Sequence, residues 1–168
     1  MTKFARGRRL VATGAGMLLA ALGGCGMFEK PNARITGVTL QDVRAAGSTL
    51  LFDVQVDNPN TIDLPMSDVD YALSSGGQPF VNGKADVQGT LPAGGSKTLG
   101  VPVQIRYAEL IRAVAGARPG ATIPYTAEMG FSVDVPLLGS LRVPVSKEGQ
   151  LAIPSTDDLL QRLRDLAR

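Results

Sequence analysis

The sequence predicts an all-β protein, a sandwich of seven or eight antiparallel strands with one short helix and an amphipathic helix at the C-terminus. Apolar and polar residues alternate with a period of two through most of the chain after residue 34. Clusters of Gly, Pro, Asn and Ser separate the alternating segments. One apolar and one polar face per strand suits antiparallel sheets packed on one side, and seven or eight such strands form a two-sheet sandwich.

The strands follow one another in chain order. The first, around Ile35 to Val43, does not keep one parity and predicts a β-bulge. The apolar positions of the later strands are Leu50, Phe52, Val54 and Val56; Val69, Tyr71 and Leu73; Ala85, Val87 and Leu91; Leu99, Val101, Val103 and Ile105; Ile123, Tyr125, Ala127, Met129, Phe131, Val133 and Val135; Leu141, Val143 and Val145; and Leu151 and Ile153. Turn residues predict turns at 58–60, 75–77, 82–83, 92–95 and 138–140. Three prolines on polar-face positions (Pro102, Pro124 and Pro144) predict sheet edges or strand starts, because proline cannot donate to a ladder.

Two segments break the β pattern. Residues 107–115 place Leu110, Ile111 and Val114 on one helical face, with Gly116 as a C-terminal stop. Residues 155–168 predict a second helix, capped by Ser155 or Thr156 and carrying a leucine stripe at 159, 160, 163 and 166. The stripe favours docking onto the domain, and a contact with a partner protein or a membrane remains open.

The N-terminus has the form of an export signal. Residues 1–9 carry four basic residues and no acid, and Leu10 to Leu22 is an uncharged apolar run of 13 residues. This run is too short to span a bilayer, which needs about 20 residues. It ends in Leu22-Gly23-Gly24-Cys25, which resembles the bacterial lipobox and implies cleavage before Cys25 and acylation of that cysteine. An ordinary signal peptide with a chance cysteine is the alternative.

Processing would divide the chain into a signal peptide (1–24), a lipidated tether (25–33), a β-sandwich domain (34–153) and a C-terminal helix (154–168). The eight residues 26–33 that follow the cysteine reach at most about 26 Å, so the domain would lie close to the membrane. Gly26, rather than Asp, follows Cys25, which by similarity to other lipoproteins favours the outer membrane, with the domain facing the periplasm. Loss of the signal removes four basic residues and changes the net charge from +2 to −2, so no nucleic-acid footprint remains.

The composition argues against an enzyme. The chain has no histidine, and its single cysteine is expected to be acylated. Nucleophile-elbow, phosphate-loop and dinucleotide motifs are absent from the sequence, and no cofactor or catalytic residue is predicted. An oxygen-rich segment could suggest calcium, but its spacing does not match an EF-hand, so turn and capping roles are favoured and no metal site is predicted. Its members are Asp57, Asn58, Asn60, Asp63, Asp68 and Asp70.

One segment carries a family resemblance. Residues 54–60 end in Asn58-Pro59-Asn60, and Leu64-Pro65, Tyr71-Ala72-Leu73 and the later segments 76–83 and 91–103 follow in order. This pattern resembles the late embryogenesis abundant type 2 proteins, whose core is the water stress and hypersensitive response domain. The similarity covers about residues 34–153. It implies a seven-stranded sandwich of immunoglobulin or fibronectin type III-like topology and a role in water stress or desiccation without enzymatic activity. Asn58-Pro59-Asn60 is expected to serve the turn.

Three functions follow as hypotheses. The leading one is a non-catalytic, membrane-anchored envelope lipoprotein that protects proteins or the membrane during water stress. The second is a periplasmic carrier of lipid or another hydrophobic ligand, held between the sheets. The third is a scaffold subunit of an envelope complex that binds a protein partner through the C-terminal helix. The membrane, through acylated Cys25, is the other predicted partner.

Overall fold

The computed structural model describes residues 28–166, and in them two antiparallel sheets pack face to face. The strands are β1 (Asn32–Gln41), β2 (Gly47–Asp57), β3 (Leu64–Ser75), β4 (Gln78–Leu91), β5 (Ser96–Arg106), β6 (Thr122–Val135) and β7 (Gly139–Ala152). The helices are α1 (Tyr107–Ala113) and α2 (Thr156–Leu166). One sheet has the order β1-β2-β5 and the other β4-β3-β6-β7. The predicted all-β sandwich is confirmed, with seven strands in the described part of the chain.

The core lies between the two sheets and is built from the alternating apolar positions. Phe52, Val54 and Val56 on β2 are fully buried, and they face Phe131 and its neighbours on β6. The rings of Phe52 and Tyr125 meet edge to face, with centroids 6.3 Å apart. The period-two pattern therefore fixes which face of each strand is buried.

The strand irregularities have local causes. The predicted bulge in the first strand is confirmed, since the β1–β2 register shifts between Ile35 and Gly37, where the Thr36 hydroxyl donates to the carbonyl of Asp53. Pro102 and Pro144 lie on the edge strands β5 and β7. Pro124 lies at the start of β6, before its pairing with β3 begins at Thr126. The proline prediction is confirmed.

Two predicted turns are misplaced. Asn82-Gly83 lies inside β4, whereas the turn predicted at 75–77 is confirmed, since the β3–β4 hairpin turns at Gly76 and Gly77, both with positive φ. Gly83 is needed in the strand because a Cβ there would lie 2.5 Å from the Tyr71 Oη. The turn predicted at 138–140 lies at residues 136–138, and β7 begins at Gly139.

The first helix is shorter than predicted, and its buried face contains fewer apolar residues. It ends at Ala113, and Val114 already has an extended backbone. Leu110 and Val114 are buried as expected, but Ile111 is exposed, because a two-turn helix across the end of the sandwich buries only a narrow stripe. Gly116 follows with a φ of 84°, as a helix stop allows.

The chain passes back and forth between two ends of the sandwich. The starts of β1, β3, β5 and β7 and the ends of β2, β4 and β6 lie together at one end, as the strand registers show. This end contains residues 58–60 and is called the Asn-Pro-Asn end below. Both helices follow strands that finish at the opposite end. Across the sheets, β1 lies against β7.

Candidate functional site

Asn58 organises the Asn-Pro-Asn end. It follows β2 directly and is buried, with only 2% of its surface exposed. Its Nδ2 donates to the carbonyls of Ile62 (2.8 Å), Leu91 (3.3 Å) and Pro92 (3.1 Å). These carbonyls come from the segment leading into β3 and from the end of β4, so one side chain joins separate parts of the chain. A buried amide with its hydrogen bonds satisfied stabilises such a junction.

The other half of the Asn58 amide shapes the turn itself. Its Oδ1 accepts hydrogen bonds from the backbone N–H of Asn60 at 3.0 Å and from the Asn60 Nδ2 at 3.1 Å. Pro59 lies exposed between the two asparagines, and its ring fixes one backbone dihedral. The arrangement is an Asx turn, in which an Asn side chain imitates a backbone turn.

Asn60 extends the junction to the N-terminal segment. Its Oδ1 accepts from the Glu29 N–H at 2.8 Å, and its Nδ2 donates to the Glu29 carbonyl at 2.7 Å. The side-chain amide thus pairs with the backbone of Glu29 as a neighbouring strand would. Residues 28–33, predicted as part of the tether, are therefore attached to the domain, and β1 begins at Asn32, before the predicted boundary at 34. This pair, called the Glu29–Asn60 clamp below, joins residues too distant in sequence to leave a periodic signal.

Backbone hydrogen bonds complete this end. The N–H of Asn58 donates to the Gly95 carbonyl and that of Gly94 to the Asn60 carbonyl, both at 2.8 Å. The Asp63 carboxylate accepts from the Ala93 N–H at 2.8 Å. The turn between β4 and β5 is in this way bonded to the turn between β2 and β3, which links the two sheets.

The oxygen-rich segment does not converge on a metal site. Asp57 pairs with Arg34, and Asp63 caps the Ala93 N–H. Asp68 and Asp70 lie on the outer face of the four-stranded sheet, paired with Lys84 and Arg142. Within residues 28–166, no group of three or more His, Cys, Asp or Glu side chains is arranged to hold a metal ion.

The outer face of the four-stranded sheet carries a chain of ion pairs. Lys84 Nζ lies 3.1 Å from Asp68 and 3.6 Å from Asp70, and Arg142 binds the other side of Asp70. The Ser132 hydroxyl donates to Asp68 at 2.6 Å. That hydrogen bond, and then Lys84, hold the pKa of the Asp68 carboxyl below its usual value of 3.8. The pKa of Lys84 is raised in turn, chiefly by its hydrogen bond to Asp68.

Two buried tyrosines differ from this solvated face. Burial raises the pKa of Tyr125, whose ring packs into the core over Gly149. The hydroxyl of Tyr107, at the start of α1, is buried without a hydrogen-bond partner among the described residues. Both lie toward the end opposite the asparagine turn, and within residues 28–166 neither is hydrogen-bonded to a base that could use it in catalysis.

The predicted lipidation site, Cys25 with Leu22, Gly23 and Gly24, lies outside the described residues. No helix within residues 28–166 has the length and apolar character needed to cross a membrane. The first described residue, Phe28, packs partly buried against the core at the Asn-Pro-Asn end. The chain therefore enters the described fold at this end, three residues after Cys25.

Comparisons with known proteins match most of the sandwich. Residues 53–149 match the model of the family described as late embryogenesis abundant protein. The desiccation-related protein PCC27-45 of Craterostigma plantagineum is 29% identical over 131 residues, which cover 78% of this chain and 87% of that protein. The desiccation protectant protein Lea14 homolog of Glycine max is 28% identical over 132 residues, covering 79% and 87%.

Solved structures agree with these relatives. A solution structure from Arabidopsis thaliana, 27% identical, superposes with a TM-score of 0.63 over 79% of this chain and 87% of that one. A crystal structure from Archaeoglobus fulgidus, 12% identical, has a TM-score of 0.54 over 74% of this chain and 95% of that one, which shows a shared fold alone.

Proposed function

The chain belongs to the late embryogenesis abundant type 2 family, and we propose that it is a membrane-anchored envelope lipoprotein that protects proteins or the membrane during water stress. The match to proteins named for desiccation carries this proposal, since it spans most of the sandwich, including the asparagine turn. A non-catalytic mode of action is part of the proposal.

The lipid anchor rests on residues 1–25. The basic start, the apolar run and Leu22-Gly23-Gly24-Cys25 together support cleavage and acylation at Cys25. Several acyl chains hold a protein firmly, because each buried methylene contributes about 0.8 kcal/mol. Gly26 supports placement in the outer membrane, with the domain in the periplasm. Cys25 is the only cysteine, so labelled palmitate should enter the wild-type chain and not a Cys25→Ser variant.

A protective role suits the packed interior better than a carrier role. Phe52, Phe131 and Val54 have no exposed surface, and the ring contact between Phe52 and Tyr125 bridges the sheets. A ligand between the sheets would have to separate these contacts. The carrier hypothesis predicts lipid that co-purifies with the protein after removal of its own anchor, and an extract free of lipid would argue against it.

Drying tests the protective role directly. Cells lacking the gene should survive drying and rehydration less well than wild-type cells and should accumulate more aggregated envelope protein. Unchanged survival together with unchanged aggregation would overturn the proposal. The matched control is residues 26–168 exported behind an ordinary signal peptide. Rescue by this soluble form would show that protection does not need the anchor, and failure to rescue would tie protection to the membrane.

The C-terminal helix, whose described side chains are exposed, supports a second proposal, a partner protein bound through α2. The helix is capped at Ser155, whose hydroxyl accepts from the Asp158 N–H at 3.2 Å and donates to the Asp158 carboxylate at 2.7 Å. Leu160 is exposed on it. Removal of residues 155–168 should abolish capture of that partner from envelope extract without lowering the melting temperature. Capture that persists would exclude the helix as the binding surface.

A further inference from the structure

The turn between β6 and β7 contains two leucines that the fold does not cover. Leu137 has 106% of its reference surface exposed and Leu138 has 69%. Both are bulky and apolar, and they stand together at the tip of a hairpin. Paired exposed leucines at a protruding tip are a feature of surfaces that meet an apolar phase or a partner.

The backbone at this tip makes leucine an unfavourable choice for folding. The Leu138 N–H donates to the Val135 carbonyl at 3.1 Å and closes a turn with Pro136 second and Leu137 third. Leu137 has a φ of 68°, in the left-handed region that glycine or asparagine adopts more readily. Because the side chain gains no packing from residues 28–166 in return, the described fold gives no reason for leucine here, whereas a contact outside it does.

The leucine tip lies at the Asn-Pro-Asn end of the sandwich. Val133 on β6 pairs with Met66 near the start of β3, so the β6–β7 turn lies at the Asn-Pro-Asn end. Ile62, 42% exposed, lies at the same end. Since β7 packs beside β1, the leucine tip and the N-terminal segment occupy the same side of that end. The leucine tip therefore lies on the side of this end where the chain from Cys25 enters the domain.

The length of the intervening chain limits the distance to the bilayer. The Glu29–Asn60 clamp fixes Glu29, so only four residue steps separate the fixed backbone from Cys25. Four steps reach at most about 14 Å. The headgroup layer on one side of a bilayer occupies roughly 5–8 Å, which is half the difference between the full and hydrocarbon thicknesses. With its acyl chains buried, Cys25 would hold the Asn-Pro-Asn end against the headgroups.

We propose that Leu137 and Leu138 insert into the lipid surface and orient the sandwich end-on, with the Asn-Pro-Asn end toward the membrane and the helices away from it. This proposal rests on the lipid anchor proposed above for Cys25. The anchor sets where the protein is, and the leucine tip sets which end faces the lipid. The outer face with its ion pairs then stands free in the periplasm.

The absence of tryptophan from the sequence gives a clean test. Leu138→Trp places a single reporter at the leucine tip, and Gln78→Trp places one at the exposed start of β4, at the opposite end. Each lipidated mature variant is reconstituted into vesicles of phosphatidylethanolamine and phosphatidylglycerol, with or without bromine on the acyl chains. Far-ultraviolet circular dichroism checks that both variants keep the fold. We expect strong quenching by brominated lipid and emission at shorter wavelength at position 138, and neither at 78.

Flotation of the vesicles separates failure of this inference from failure of the anchor. Floating protein without quenching at either position overturns the leucine contact and leaves the anchor intact. Equal quenching at both positions overturns the end-on orientation. A shift to shorter wavelength at 138 without quenching means that another protein chain covers the tip, which excludes lipid as the occupant. Protein that does not float refutes the anchor, and the inference with it.

Discussion

The two hairpin turns of the four-stranded sheet both contain a positive φ, but different residues adopt it. The β3–β4 turn places Gly76 and Gly77 at φ values of 56° and 79°, and an added Cβ at either would meet nothing within 4 Å. The β6–β7 turn places Leu137 at 68°. Glycine at the first tip follows from backbone geometry alone. Leucine at the second does not, so a difference between two similar turns indicates an external contact.

The ends that carry the tips differ in how their segments are joined, although exposed apolar side chains occur at both ends. The Asn-Pro-Asn end combines a hydrogen-bonded polar junction at Asn58 with exposed apolar side chains around it. The opposite end carries α1 and α2 and leaves the Tyr107 hydroxyl buried without a partner in the described chain. One end is joined by the hydrogen bonds of a buried asparagine, and the other is closed by the two helices.

Removal of the Asn58 amide should break this end most severely. Asn58→Ala leaves the buried Leu91 carbonyl without this donor and the buried Asn60 N–H without its acceptor, and each buried unsatisfied group costs about 1–3 kcal/mol. We expect a loss of about 3 kcal/mol in the free energy of unfolding, measured by urea denaturation with circular dichroism. The matched control is Asn82→Ala, at an exposed asparagine in β4, with an effect within about 0.5 kcal/mol. Equal midpoints for the two variants would contradict the role given to Asn58.

A side chain at Gly149 should damage the opposite end to a lesser degree. A Cβ there would lie 2.5 Å from the Tyr125 Oη, so Gly149→Val forces the ring out of its place in the core. Overpacking of this kind costs about 1–3 kcal/mol, and we expect about 2 kcal/mol in the same denaturation experiment. Gln150→Val, exposed and next on β7, is the control and should change little. A tolerated valine at 149 would mean that this end repacks easily.

Substitutions at the two hairpin turns should change the free energy of unfolding by smaller amounts and in opposite directions. Leu137→Asn relieves a positive φ and should raise the free energy of unfolding by about 1 kcal/mol, while Gly77→Leu should lower it by about 1 kcal/mol. Thermal and urea unfolding of each variant, in detergent away from lipid, measure this. A destabilised Leu137→Asn variant would show that the leucine does serve the fold, and the comparison of the tips would lose its basis.

We expect the smallest change in stability from a substitution on the ion-paired outer face, between the two ends. The lowered pKa of Asp68 means that its contribution to stability is present above 3.8 and is lost as pH falls through the lower folded value. Ser132→Ala removes the main cause, so the pKa should rise toward 3.8 and the variant should lose less stability on acidification than the wild type. Carboxyl NMR titration reads the pKa directly. An unchanged pKa would assign the shift to Lys84 and Arg142 rather than to Ser132.

The sandwich was predictable because a buried strand face leaves a period of two in the sequence. The core of β2, the bulge near Thr36 and the edge positions of Pro102 and Pro144 all follow from local pattern. Gly83 was misread as a turn residue because its role, room for the Tyr71 ring, is set by a neighbouring strand.

The site was less predictable than the fold for the same physical reason. The sequence indicated a turn at Asn58-Pro59-Asn60, but not the bonds from Asn58 to Leu91 or from Asn60 to Glu29, which join distant segments. The turn near residue 138 was predicted from Gly139 and Ser140, yet nothing in the local pattern distinguished an exposed leucine at 137 from a buried one. The structure shows which distant segments are in contact and which side chains, such as Leu137, remain exposed.

The Glu29–Asn60 clamp has a mechanical consequence if Cys25 is held in a membrane. A pull on the domain would reach the fold through Glu29, before it reached Asn32 at the open end of the β1–β2 ladder. Without the clamp, that load would peel β1 from its neighbour one hydrogen bond at a time. With it, the load passes through Asn60 to Asn58 and so to the segments that join both sheets. Asn58 and Asn60 therefore carry the pulling force in place of the β1–β2 hydrogen bonds.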